Sequence, residues 1–149
     1  SLRDYERISD LAQNTVFTFQ NLFSNKEKIS DEAMAEIRKM LEVCISVTED
    51  TIKMFIEKDL TYGGSVMEKE KYLDKLERKA IKNHMTRTKE GKCTGTVAMM
   101  YVDILSDLER IGDHAVNIVE HYTYKDLILT EEEENLDLSK FIIETNLED

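Results

Sequence analysis

Apolar residues recur at helical spacing through four long segments of this 149-residue chain, and short polar stretches separate the segments. No proline interrupts them, and the first glycine is Gly63. Because proline and glycine are the strongest helix breakers, their scarcity favours helix along the whole chain. Short loops between long helices make neighbours antiparallel, so we expect an all-α, up-and-down antiparallel bundle of four long helices. The pattern predicts helices over about residues 2–23, 30–59, 65–88 and 96–124.

Polar stretches also predict where these helices begin and end. Ser30 precedes two acids and an apolar run, as an N-cap residue does. The paired glycines of TYGGS are expected to end the second helix, and Ser65 to cap the third. From Thr130 the sequence becomes strongly acidic, so residues 126–149 are interpreted as a mobile acidic tail.

Charge and cysteine content narrow the partners and the compartment. The 31 acidic and 20 basic side chains give a net charge of −11, which argues against nucleic acid and against adsorption to anionic lipid. No apolar run reaches the roughly 18–20 residues that span a bilayer, so we expect no direct membrane insertion. Cys44 and Cys93 have no disulfide-framework spacing and are interpreted as thiols of a reducing compartment, with Cys44 buried.

One stretch of the last helix is repeated near the start of the chain. Residues 4–17, DYERISDLAQNTVF, align without gaps on residues 107–120, DLERIGDHAVNIVE, and eight of the fourteen positions are identical. Helical periodicity would reproduce only the apolar positions, yet the acids, the arginine and the asparagine also recur in register. This indicates duplication of a unit of about 100 residues. The chain would hold the last helix of one unit (1–24) and all three helices of the next (30–125).

Each repeated stretch carries carboxylates four residues apart, Glu6 with Asp10 and Glu109 with Asp113. That spacing puts both acids on one helix face, where like charges crowded between helices repel one another and lose hydration. A cation relieves both costs, and carboxylates in helical bundles hold iron or manganese. We therefore expect the four acids to face a common polar groove. The alternative is that Glu109 and Asp113 lie at the rim and pair with Arg110 or with lysines.

With these two stretches, the sequence resembles the PhoU family of phosphate-transport regulators, whose three-helix units carry an acid-x-x-x-Asp motif on the third helix. A second match is LERKAIKNHMTRTKEGKC at residues 76–93, which is similar to the His-x-x-Arg…Gly-x-Cys region before the last motif helix. That version is typical of PhoU-like domains at the C-terminus of bacterial sodium/phosphate cotransporter-related membrane proteins. The resemblance covers about residues 2–124.

The resemblance implies multinuclear metal sites at the acid-x-x-x-Asp motifs, holding divalent or trivalent ions of iron, zinc or manganese. The candidate ligands are Glu6, Asp10, Glu109 and Asp113, together with Glu70 and Asp74 from a similar pair in the middle helix. Two departures stand out. A full regulator has two complete units where this chain has one unit and a helix, and Leu11 stands where the second copy has His114.

The resemblance also implies a function: a non-catalytic regulatory domain of phosphate transport on the cytoplasmic side of the cell membrane. Because the sequence enters a helix pattern at its first residues, we expect the excised C-terminal PhoU-like part of a sodium-dependent phosphate transporter. Its partner would be the transmembrane part of that transporter, and a homodimer is left open. In this interpretation residues 1–125 form the PhoU-like bundle and 126–149 the tail.

The alternative function is a carboxylate-bridged metalloenzyme of the helical-bundle type, such as an oxidase or a hydrolase. Such an enzyme needs histidine as well as acids around an open coordination position. His114 directly follows Asp113, so it points about 100° away around the helix. The chain also has no glycine-rich phosphate loop, nucleophile–base pair or zinc-ligand spacing, and we favour the regulatory function.

Other residues receive structural interpretations. His114 and His121 are expected at the surface or in hydrogen bonds, and His84, which lies in an apolar stripe, is expected to be a hydrogen-bonded core histidine. Gly112 stands where the first copy has Ser9, and we expect it to permit a close approach between helices.

Overall fold

A computed structural model describes the backbone of residues 2–24, 28–93 and 95–145, and the side chains of these ranges as far as Thr130. Within this part of the chain all the regular structure is helical, which confirms the predicted all-α class. The helices are α1 (Leu2–Ser24), α2 (Asp31–Glu57), α3 (Thr61–Lys89) and α4 (Gly95–Thr145).

The helices form an antiparallel bundle in which α4 is central. α4 packs against each of the other three helices, and α2 and α3 also pack against each other. The α4 side chains of Tyr101, Ile104 and Leu108 are fully buried, so they form the middle of the core. α1 joins the bundle along α4, where it buries Ile8 and Leu11. The fold is therefore a three-helix unit with a fourth helix laid against its central member.

The start of α2 agrees with the sequence, whereas the end of α4 does not. The Ser30 hydroxyl accepts a hydrogen bond from the N–H of Ala33 at 3.1 Å, which confirms the N-cap. α4 was predicted to end near Tyr124, but it continues to Thr145. No proline or glycine follows Gly112, so no helix breaker stops the helix, and glutamate is a good helix former. Much of the predicted mobile tail is thus helical.

The junction between α2 and α3 corrects a second prediction. The paired glycines of TYGGS lie inside α3, because glycine permits a helix break without forcing one. α2 ends instead where Lys58 takes the left-handed conformation, with φ 54°. The Asp59 carboxylate accepts a hydrogen bond from the N–H of Thr61 at 2.9 Å, so Asp59 does the work predicted for Ser65.

Ser65 instead helps to hold α3 against α2. Its hydroxyl donates a hydrogen bond to the buried Asp50 carboxylate at 2.7 Å, and the Lys69 ammonium donates to the same oxygen. Burial raises the pKa of Asp50, but the hydrogen bonds from Lys69 and Ser65 and the Lys69 charge outweigh burial and hold this pKa below its ordinary value. Asp50 therefore stays charged in the core and ties the two helices together.

In the described part of the chain, none of the helices combines the length and the apolar character that crossing a bilayer requires.

Candidate metal centre

Five carboxylates line the groove between α3 and α4. Those of α3 follow one another at helical spacing, and those of α4 are four residues apart, so each set lies along one helix face. Oxygens of Asp74, Glu77 and Glu109 lie within 4.8 Å of one another, which is close enough for one metal ion to bind all three. The full set is Glu70, Asp74, Glu77, Glu109 and Asp113.

A glycine brings the two helices close at this point. A Cβ atom on Gly112 would lie 2.8 Å from Cδ2 of Leu73 and 3.6 Å from Cγ of Glu70. Since 2.8 Å is well inside van der Waals contact, any larger residue would push α3 away from α4. The prediction that Gly112 permits a close helix approach is confirmed, and the approach sets the spacing of the carboxylates.

Burial and mutual repulsion make these acids hold their protons. Burial raises the pKa of Glu109 to about 7, and the charges of Asp113 and Glu77, a hydrogen bond with Asp113 and the charge of Asp74 add to the rise. The pKa of Glu70 is raised by burial and then by Asp113 and Asp74. The pKa of Glu77 is raised by burial and then by Asp74 and Asp113. The groove is therefore an electrostatic environment that a bound cation would relieve.

The cations near the groove lie at its edge. Arg78 forms an ion pair with Asp74 at 3.0 Å, but 70% of the Arg78 side chain is exposed, so water screens its charge. Arg110, which the rim alternative paired with Glu109 or Asp113, is exposed and acts on Asp107, where its charge opposes the rise in pKa that burial causes. The partly buried Glu109 carboxylate thus keeps acids as the neighbours that dominate its pKa.

The six predicted ligands separate into two groups in the structure. Glu109 and Asp113 meet the α3 acids, including the predicted Glu70 and Asp74. Glu6 and Asp10 are exposed on α1, and each is two residues from the buried Ile8, about 200° around the helix, so both point away from α4.

The structure therefore does not bring the α1 pair and the α4 pair into one groove. The ligand role of all six acids stays a prediction.

Glu77 is the groove residue that sequence reasoning missed. It lies three residues after Asp74 and on the same helix face, so the spacing offered a signal. With 31 acids in the chain, such spacings arise often by chance, and Glu77 has no counterpart in a repeated motif. Only the packing of α3 on α4 distinguishes Glu77 from the solvated acids.

The histidines lie elsewhere. His114 Nδ1 is 3.1 Å from an oxygen of Asp4, so this histidine joins α4 to α1, as expected for a hydrogen-bonded residue. His121 is exposed. His84 is buried beside Tyr101, with ring centroids 4.7 Å apart, which confirms a core position. Its Nδ1 has no hydrogen-bond partner, however, so the expectation of a hydrogen-bonded core histidine is not met at that atom.

The arginine of HMTRTKEGKC has a structural role. Arg87 is buried and donates a hydrogen bond to Glu36 at 2.6 Å, and the Tyr101 hydroxyl donates to the other oxygen of Glu36 at 2.8 Å. The guanidinium carbon also lies 5.4 Å from the centroid of the Tyr101 ring. These three side chains come from α3, α2 and α4, so together they fasten the three-helix unit.

Antiparallel helices with a carboxylate groove between two of them define the chain as a helical-bundle protein with a candidate cation site. Comparison with protein families gives a match to the PhoU domain over residues 37–121. The chain belongs to the PhoU domain family.

A similar protein from Thermotoga maritima is named phosphate-specific transport system accessory protein PhoU homolog 1. It is 34% identical over 121 residues, which cover 81% of this chain and 51% of the relative. The chain thus spans about half the length of the curated relative that it matches. No solved structure matches the chain significantly.

Proposed function

We propose that this chain is a non-catalytic regulatory domain of phosphate transport whose α3–α4 groove holds a metal ion. Membership of the PhoU family supports the regulatory part, as does the name of the Thermotoga maritima relative, an accessory protein of a phosphate-specific transport system. The observation that carries the metal part is the convergence of Asp74, Glu77 and Glu109, whose oxygens lie within 4.8 Å of one another.

The donor set favours a hard cation. All the donors in the groove are carboxylate oxygens, which suit manganese and iron better than zinc, whose protein sites are rich in histidine and cysteine. A bound ion would neutralise the repulsion that raises the pKa of Glu109. It would also link α3 to α4, so its binding would stiffen the three-helix unit.

The same donor set argues against the metalloenzyme alternative. A carboxylate-bridged enzyme of this type draws histidine as well as acids into the bundle core. Here His114 is engaged with Asp4 on the α1 side of α4, and His84 is buried beside Tyr101. A cation in the groove would therefore serve as a structural or regulatory ion.

The transporter context is the finer part of the proposal. We propose that the chain acts on the cytoplasmic side of the membrane, as the C-terminal part of a sodium-dependent phosphate transporter whose transmembrane part is its partner. The support is the likeness of residues 76–93 to the PhoU-like domains of sodium/phosphate cotransporter-related proteins.

A titration tests the metal site. Protein freed of metal by a chelator is titrated with Mn²⁺, Fe²⁺ or Zn²⁺, and binding is followed by calorimetry and by elemental analysis. We expect Glu77→Gln and Glu109→Gln to weaken Mn²⁺ binding at least about tenfold, since each removes a charged ligand from a small site. The control Glu42→Gln, an exposed α2 acid, should bind as the wild type does. Binding that both groove variants leave unchanged would exclude the site.

Uptake of labelled phosphate tests the regulation. In cells that lack the gene, the wild-type gene should restore the limit on uptake at high phosphate, and the folded double variant Glu77→Gln, Glu109→Gln should not. Uptake that is the same with and without the wild-type gene would refute the regulatory function, whatever the titration shows.

A further inference from the structure

The repeated helices α1 and α4 are covered differently. On α4, the positions Leu105, Gly112, Ala115 and Val119 are all buried. A Cβ on Gly112 would meet Leu73 of α3, and the Val119 side chain lies against the α3 backbone, because a Cβ at Gly63 would be 2.9 Å from it. This face of α4 is the one that the α2–α3 hairpin covers.

The corresponding face of α1 is uncovered. In the alignment of 4–17 on 107–120, extended by two residues, Leu2, Ser9, Ala12 and Val16 correspond to these four α4 positions. All four are exposed, and Leu2 and Val16 are 86% and 58% exposed, where their α4 counterparts are 0% and 6% exposed. We call these four α1 residues the open stripe.

The open stripe has the character of a helix-packing face. Leu2 and Val16 are apolar, and between them Ser9 and Ala12 are small enough to let another helix approach closely, as Gly112 and its neighbours do on α4. α1 packs on α4 through a different face, which carries Ile8. The open stripe is therefore a second, unpartnered face of the same helix.

We propose that the open stripe is the docking face of a helical hairpin equivalent to α2–α3, supplied by a preceding copy of the repeat. The duplication indicates this occupant, because the same face of α4 already carries such a hairpin. The length of the curated relative, about half of which this chain spans, leaves room for one. The proposal concerns packing alone and does not rest on the metal site or on phosphate transport.

An engineered duplication tests this directly. Residues 28–104 are fused to Leu2, which replaces Leu105 in register, so a second α2–α3 hairpin precedes α1 as the first precedes α4. Solvent access is read from the rate at which a maleimide labels the thiol introduced by Val16→Cys, with Cys93→Ser in both the fusion and the unfused chain. Cys44 is buried and should not react.

We expect docking to slow the labelling of the introduced thiol at least about tenfold in the fusion relative to the unfused chain. A further Ala12→Arg substitution puts a long charged side chain in the open stripe and should restore fast labelling. Asn14→Arg is the matched control, because Asn14 and its α4 counterpart Asn117 are both exposed. It should leave the protection intact.

Three results would overturn the proposal. One is fast labelling in a folded fusion. The second is slow labelling in the unfused chain together with a dimeric mass in sedimentation, because a second copy would then be the occupant. The third covers a fusion that does not fold: residues 28–93 are added in trans to the unfused Val16→Cys chain, and labelling that stays fast at saturating hairpin concentration would contradict docking.

Discussion

Removing one charge from the carboxylate groove should stabilise the metal-free protein, and the stabilisation should depend on pH. In the folded protein the pKa of Glu109 is raised from 4.5 to about 7. Between these values the folded state binds the Glu109 proton more tightly than the unfolded state does, so the free energy of unfolding falls as pH rises. Above about pH 7 the full penalty acts, and below about pH 4.5 there is none. Glu109→Gln keeps the shape of the side chain and is uncharged at every pH.

The structure sets the size of this effect. A rise in pKa from 4.5 to about 7 corresponds to at most about 3 kcal/mol, since each pH unit is worth about 1.36 kcal/mol. The Glu109 side chain is partly exposed, and water in the groove screens its charge, so we expect about 1–2 kcal/mol. The pKa values of Glu70 and Glu77 are raised in the same direction, so the variant should keep some pH dependence of its own.

Urea unfolding followed by circular dichroism at 222 nm, in the presence of a chelator, measures the effect. At pH 8 the Glu109→Gln variant should exceed the wild type by about 1–2 kcal/mol in free energy of unfolding, and most of this gain should vanish near pH 4.5. The control Glu42→Gln should show no such pH-dependent gain, because Glu42 is exposed on α2. A Glu109→Gln protein that is no more stable than the wild type at pH 8 would refute the account of the groove.

Three further substitutions test the packing, each by the same urea unfolding. Gly112→Ala should destabilise by about 1 kcal/mol, because the clash with the buried Leu73 outweighs the better helix propensity of alanine; a gain in stability would show that α3 can move aside. Glu36→Gln should cost about 3 kcal/mol, since it removes the charged partner of the buried Arg87, and an unchanged midpoint would contradict that role. Ser30→Ala should cost about 1 kcal/mol by removing the α2 cap, whereas Ser30→Asp should restore it.

Local rules explain what the sequence alone predicted. Helical periodicity and the absence of proline were sufficient for the all-α class, because each helix reports its own buried face through the spacing of its apolar residues. The Ser30 cap was predictable because its hydrogen bond reaches only three residues along the chain. The duplication was visible because polar residues recurred in register, which packing periodicity does not require.

The same local rules failed where two states compete closely. The paired glycines of α3 carry no signal that separates a helix from a break, and the hydrogen bond that starts α3 comes from Asp59. At the other end, the acidic composition after Thr130 indicated a mobile tail, yet the backbone there has no helix breaker and α4 continues through it.

Only the tertiary structure decided which acids meet. The sequence paired Glu109 and Asp113 with acids of the repeated first helix, because likeness between two stretches does not say which faces pack together. In the structure the contact of Gly112 with Leu73 turns this face of α4 towards α3 and brings in Glu77, which no motif marked. Which helix lies against which is settled by burial and close packing between residues far apart in the chain, and a one-dimensional pattern does not carry that information.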